Sequence, residues 1–330
     1  MSRAAVLLDR VLRWFTGAQH HLRSFAVLRI LFGLSILALL LPSARDRALL
    51  WGDASFWVDP EARRRGFWTF DTLLAKGSPA AFDLVFLALV VLAVLFTIGL
   101  GTRVVLPLLL VLLVCLQANN PYVLNGGDTL TRLALLFMLF SNLGAHLSVD
   151  ALLRRRREAA GRPPRRLVPA HVANAAHNAG LVLCCFQIVV VYAVSGVWKL
   201  SGEAWLEGTA LFYALRLEAF QVQPLVSELL WQSGLLITAA TFVALWTQTL
   251  FPLAVLWRPT RAFCLVALVL MHLGIAALLG LWSFSLAMIA LDTLFVRDST
   301  WLALRRRLAP ALSRLDAGLG ALGVRAAAAR

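Results

Sequence analysis

Ala81-Phe-Asp-Leu-Val-Phe-Leu-Ala-Leu-Val-Val-Leu-Ala-Val-Leu-Phe-Thr-Ile-Gly-Leu100 is a run with almost no polar face. A helix half exposed to water would return polar residues on one side of every turn, and this one does not. Its length suits a hydrocarbon layer, which takes roughly 17–25 apolar residues per crossing. Seven further blocks read the same way, at 25–41, 104–116, 130–146, 179–200, 235–257, 262–279 and 281–296. The block at 104–116 is short, and only Gly280 separates the last two. The pattern predicts an all-α, polytopic integral membrane bundle of about eight transmembrane helices.

Composition agrees. The 330 residues are 60 % hydrophobic and the mean hydropathy is +0.80, where a soluble domain is about 45–50 % apolar. No cleavable signal peptide is expected, because the first apolar block is too long and lacks a small-residue cleavage site. The net charge of +14 raises nucleic acid as a partner, and its distribution argues against that. Arg3, Arg10, Arg13 and Arg23 precede the first block; 154–157, 162, 165 and 166 follow the fourth. Arg258 and Arg261 lie between the sixth and seventh, and 305–307 follow the eighth. With eight crossings all of these fall on one side, as the positive-inside rule requires of the cytoplasm. Both termini are therefore expected in the cytoplasm of a multi-pass cell-membrane protein, with anionic lipid as the partner of the basic loops.

Three regions follow: a basic tail at 1–23, the transmembrane domain at 24–298 and an Arg/Ala-rich tail at 299–330. Two outer loops carry unusual aromatic density. Residues 43–80 include Trp51, Trp57, Phe67 and Trp68, and 203–230 reads as an amphipathic helix bearing Trp205, Leu211, Phe212 and Leu215. Such segments either roof a cavity or pack on the interface. The four cysteines fall inside apolar blocks with no Cys-x-x-Cys pair, which argues against disulfide exchange. No metal site is expected: His20 and His21 are adjacent in the tail, and His171 and His177 lack a third ligand. A transporter is disfavoured by the lack of an inverted repeat.

Ionisable and polar residues inside spanning segments are functional candidates by default. Asp128 and Arg132, in Asn125-Gly126-Gly127-Asp128-Thr-Leu-Thr-Arg132, stand one turn apart and are placed to pair. They read either as a capped helix start or as a polar approach to a ligand through the two glycines. Tyr192, Ser195 and Lys199 share a face in Gln187-Ile-Val-Val-Val-Tyr192-Ala-Val-Ser195-Gly196-Val-Trp198-Lys199. Lys199 either snorkels to the outer interface or points into a cavity as a base. His272 is a packing residue or a ligand, and Gln187 and Gln248 are expected to bridge helices. Arg29 is expected to snorkel, and Asp292 to pair with Arg297.

Taken in order, Val27-Leu-Arg29-Ile-Leu-Phe-Gly33, Gly101-Thr-Arg103, Asn119-Asn-Pro-Tyr122, the Asn125–Asp128 stretch, Ser148-Val-Asp150 and the Gln187–Lys199 stretch followed by Trp205-Leu-Glu-Gly208 resemble the horizontally transferred transmembrane (HTTM) domain. That family includes the vitamin-K-dependent γ-carboxylases. The resemblance implies that Lys199 deprotonates a reduced quinone, vitamin K or menaquinone. Oxygenation then yields a base for glutamate carboxylation in a secreted peptide or protein. It places His272 on a family histidine and implies a cofactor pocket of Asn125, Gly126, Gly127, Asp128, Arg132, Gln187 and Tyr192. Two departures stand out: no histidine accompanies Asn125–Asp128, and no large luminal domain is expected after the last block. A non-enzymatic factor for maturation or binding of a secreted peptide or lipid is therefore the alternative.

Overall fold

A computed structural model of the chain describes residues 2–52, 54–55, 78–162 and 168–310, and every regular element among them is helical. The helices used below are α1 Arg3–Gly17, α2 Leu22–Leu40, α3 Pro79–Ile98, α4 Thr102–Ala118, α5 Gly126–Met138, α6 Val149–Ala159, α7 Ala170–Leu200, α8 Pro224–Trp231, α9 Gly234–Thr249, α10 Arg258–Leu279 and α11 Trp282–Asp292. Short single turns join several of them.

Local chemistry sets their ends. Ser78 caps α3 with Pro79 in its first turn, and Gly99, at φ 72°, stops it, as a left-handed glycine does at a helix C-terminus. Asp150 caps α4 from a distance: its carboxylate accepts from the Gly101 and Thr102 amides at 2.7 and 2.9 Å and from the Thr102 hydroxyl at 2.9 Å.

In the packing, α2 lies between α3 and α11, α7 contacts α1, α5 and α9, and α10 joins α9 to α11. The apolar core runs through all of these, with Phe25, Phe32, Leu89, Leu109, Leu135, Ile188, Phe251 and Leu291 buried. Polar contacts close both ends. At one end the Arg23 amide donates to Asp298, the Ser24 hydroxyl to the Val296 carbonyl, and Arg29 to the carbonyls of Leu143 and Leu147. At the other, Asn119 and Asn120 donate to the carbonyls of Trp51 and Leu50.

Among the described residues the eight expected spans reduce, by length and composition, to four helices able to cross a membrane, or five if the pair α8 and α9, bent by 95°, counts as one. The cause is that several apolar blocks do not form full helices. The block at 130–146 is helical only to Met138; beyond it the Leu143 carbonyl accepts from Arg29 and the Ala145 carbonyl from Arg154, and Leu147 sits in the left-handed region at φ 47°. At 1.5 Å per residue α5 spans about 20 Å, short of a 30 Å hydrocarbon core. The block at 235–257 breaks after Thr249, where Pro252 opens a new turn because it cannot continue a helix. The expected helix over 203–230 is likewise divided into Glu203–Leu206, Ala210–Leu215, a 3-10 turn at Glu218–Phe220 and α8, with Gly208 at φ 77° and Pro224 as its breaks.

Two smaller corrections concern charge. Arg29 does not snorkel; it is fully buried and bonded to carbonyls. Asp292 is 2 % exposed and faces Tyr192 rather than Arg297. Trp57, Phe67 and Trp68 lie outside the described residues.

Candidate functional site

A cavity of about 1240 Å³ opens between α5, α7, α9 and α10. Drug-sized ligand sites run about 300–1,000 Å³, so this one is large. Its wall is overwhelmingly apolar, from Leu130, Phe186, Val190, Phe263, Leu270 and Ile275 among others. The broken 203–230 segment covers part of it: Trp205, Leu211, Leu215 and Leu230 line it. That segment roofs the cavity instead of only packing at an interface.

The polar groups on the wall come mostly from α7: the helical repeat brings Tyr192, Ser195 and Lys199 to one stripe, and Gln187 lines the wall from a neighbouring part of the helix. Lys199 closes the stripe. Its Nζ donates to Ser195 Oγ at 2.6 Å and to Gln248 Oε1 at 2.8 Å, and stands 4.9 Å from the centre of the Trp205 ring. The Ser195 hydroxyl donates to the same Gln248 oxygen at 2.9 Å. Gln248 is held in turn against the Met271 sulfur at 3.2 Å. No carboxylate lies within 4.0 Å of the Lys199 nitrogen among the described residues. Lys199 thus lines the cavity, half-buried, and it is joined there by Gln248, for which the sequence predicts only a helix bridge.

Tyr192 and His272 form the second polar group. The Tyr192 oxygen is 3.2 Å from His272 Nε2 and donates to Asp292 Oδ2 at 3.0 Å. Gln187 donates to the Leu130 carbonyl at 2.8 Å. Among the described residues, two buried atoms on the cavity wall lack a protein partner: Gln187 Oε1 and His272 Nδ1. Buried polar atoms are normally bonded, so both are places where a ligand or water would be held.

The Asn125–Asp128 stretch is organised differently. Asn125 Oδ1 accepts from the Gly127 amide at 2.7 Å, and Asp128 Oδ2 accepts from the Asn125 amide at 2.8 Å, a reciprocal capping box. The other Asp128 oxygen accepts from Gln117 Nε2 at 3.0 Å. A Cβ on Gly127 would stand 2.9 Å from the Phe284 Cα, so the glycine permits α5 to meet α11. The expected Asp128–Arg132 ion pair does not form; Arg132 donates to Thr129 Oγ1 at 3.0 Å. Only Gly126 of these candidates lines the cavity. The structure therefore gathers Lys199, His272, Gln187 and Tyr192 at one cavity and leaves Asn125, Gly127, Asp128 and Arg132 off its wall. Gln248, Asp292 and Trp205 complete the constellation. Gln248 and Asp292 lie far along the chain from Tyr192 and Lys199 and only the fold joins them, whereas Trp205 follows Lys199 by six residues.

No curated protein and no solved structure matches this chain. A family model for the HTTM domain matches residues 19–301, most of the chain, including every residue of the cavity. The chain therefore belongs to the HTTM domain family, a family of membrane domains.

Proposed function

We propose that the protein binds a reduced quinone of the vitamin K or menaquinone class in this cavity and uses Lys199 as the base that takes a proton from a ring hydroxyl. The observation that carries the reading is the position of Lys199: one basic nitrogen at the polar margin of a large apolar cavity, with no carboxylate partner among the described residues. The residues fit such a ligand. The apolar walls accept a ring and an isoprenoid tail, and Gln187 Oε1 and His272 Nδ1 offer unpartnered polar atoms. A bound hydroquinone supplies an acidic hydroxyl and the electrons that chemistry with oxygen requires.

For the proton transfer, Lys199 Nζ uses its lone pair as a neutral amine and becomes an ammonium. Ser195 Oγ and Gln248 Oε1 already accept hydrogen bonds from that nitrogen, so the charge is received without rearrangement. The Trp205 face and the 203–230 roof limit water on that side. By this reading the protein is a γ-carboxylase-like lyase that acts on a secreted peptide. Its eight passes leave both termini in the cytoplasm and the cavity on the extracytoplasmic side. The basic side chains of Arg23, Arg154 and Arg155, which gather around His146 at the end opposite Lys199, support this orientation.

A non-enzymatic role in maturing or binding a secreted peptide or lipid is favoured by a separate observation: among the described residues no Asp or Glu lines the cavity, so no second acid stands beside Lys199.

The deciding experiment supplies reduced menaquinone and oxygen to the protein in lipid nanodiscs and follows epoxide by mass spectrometry. We expect epoxide from the wild type and at least a 100-fold reduction in Lys199→Ala, in line with the 10²–10⁴-fold typical of a positioned base. Quinone that binds without forming epoxide would overturn the enzyme reading in favour of the binding role.

A further inference from the structure

Asp292 does not line the cavity, yet it reaches the cavity wall through a chain of two hydrogen bonds. Tyr192 is fully buried, Asp292 and His272 are each 2 % exposed, and the three come from α7, α11 and α10 respectively. The contacts at 3.0 Å and 3.2 Å leave one atom unpartnered at each end, Asp292 Oδ1 and His272 Nδ1.

Tyr192 has a single hydroxyl proton, and with Asp292 as an ionised acceptor that proton is donated to Oδ2. The contact with His272 Nε2 then needs its proton from the imidazole. A neutral ring with its proton on Nε2 has a bare lone pair on Nδ1. The packing holds this arrangement from several sides: Phe251 meets the Tyr192 ring edge-on at 4.8 Å, and Phe284 meets His272 edge-on at 5.6 Å. From these contacts we infer that Asp292 is a positioning residue. Acting through Tyr192, it fixes the His272 tautomer so that Nδ1 is a hydrogen-bond acceptor at the cavity wall.

The chemistry this selects is specific. An acceptor at Nδ1 takes a ligand hydroxyl and disfavours a ligand carbonyl, which needs a donor. On the functional reading above, with which this last point stands or falls, the site prefers the hydroquinone to the oxidised quinone.

The test is ¹⁵N NMR of histidine-labelled protein in nanodiscs, with the His272 signals assigned by their loss in His272→Gln. The wild type is expected to show a protonated Nε2 and a bare Nδ1. Asp292→Leu removes the acceptor, frees the Tyr192 proton for Nε2 and moves the ring proton to Nδ1. Asp292→Asn retains an oxygen acceptor and keeps the wild-type tautomer, which separates positioning from mere disruption. Where Asp292→Leu fails to fold, the wild-type and Asp292→Asn spectra still decide. A wild-type ring protonated on Nδ1, or a folded Asp292→Leu protein with the wild-type tautomer, would overturn the inference. Adding menadiol provides an independent arm. A bare Nδ1 that it leaves unshifted keeps the positioning role and counts against the hydroquinone reading alone.

Discussion

Gly196 shows how closely the cavity is built. A Cβ at this position would lie 2.6 Å from the backbone nitrogen and Cα of Thr249, so α7 and the end of α9 touch through a hydrogen atom. That contact sets Lys199, three residues later, against Gln248. Gly274 lies on the cavity wall, and a methyl group added there would meet nothing within 4 Å. The two glycines therefore predict opposite results. Gly196→Ala should lose about 1–3 kcal/mol, the usual cost of overpacking, and displace Lys199 from Gln248. Gly274→Ala should be neutral or stabilising by up to about 1 kcal/mol. Thermal unfolding in nanodiscs compares them; equal losses would show that contact with Thr249 does not govern the site. The α7 stripe is legible in the sequence, because Tyr192, Ser195 and Lys199 repeat at helical spacing. That Asp128 faces a cap instead of the cavity is not. An acid at the third position of a helix serves either purpose, and only the position of Gln117 and Phe284 decides.

At the scale of elements, the least expected feature is α1. It has no buried residue, and Val6, Leu7, Val11 and Leu12 are exposed alongside Arg3 and Arg10. It is nevertheless fixed at its C-terminal end by one face of α7. Asn178 donates to the carbonyls of Trp14, Phe15 and Ala18, Asn174 donates to that of Thr16, and the His20 amide donates to Asn178 Oδ1. The unpaired carbonyls that every helix end leaves are here satisfied by side chains of another helix. Asn178→Ala removes several bonds, each worth about 0.5–1.5 kcal/mol net, for a combined loss of about 2 kcal/mol. That raises the open population of the α1–α2 junction by roughly 30-fold. Amide exchange at His20 should accelerate by that factor while exchange in α10 stays unchanged; an unaltered His20 rate would show that α1 is held by other contacts. The amphipathic tail is legible from its sequence. Its anchor is not, since the 1–23 tail and the start of α7 are joined only by tertiary structure.

The whole molecule presents a contrast between composition and path. By length and composition, four or five of the helices among the described residues can cross a membrane, whereas the sequence pattern suggests about eight. The shorter elements α4, α5 and α11 account for much of the difference, and each packs against a longer neighbour in the bundle. A short helix is tolerated in a membrane where neighbours satisfy the backbone that leaves it. Here Arg29 does so below α5, and Asp150 at the start of α4. The proposed eight-pass path with both termini cytoplasmic places Tyr122, between α4 and α5, outside the cell and Arg156, in α6, inside it. Both are exposed, and the four native cysteines lie in apolar helices, which keeps background labelling low. In intact cells a membrane-impermeant maleimide should label Tyr122→Cys and reach Arg156→Cys only after permeabilisation. The reverse result would invert the orientation and place the Lys199 end of the cavity toward the cytoplasm. Labelling of both in intact cells would mean that an even number of crossings separates these two positions, and α5 would not traverse the membrane. Either outcome would remove a secreted peptide as the partner met at the Lys199 end or redraw the path by which one arrives, so this measurement bears on function as directly as on topology.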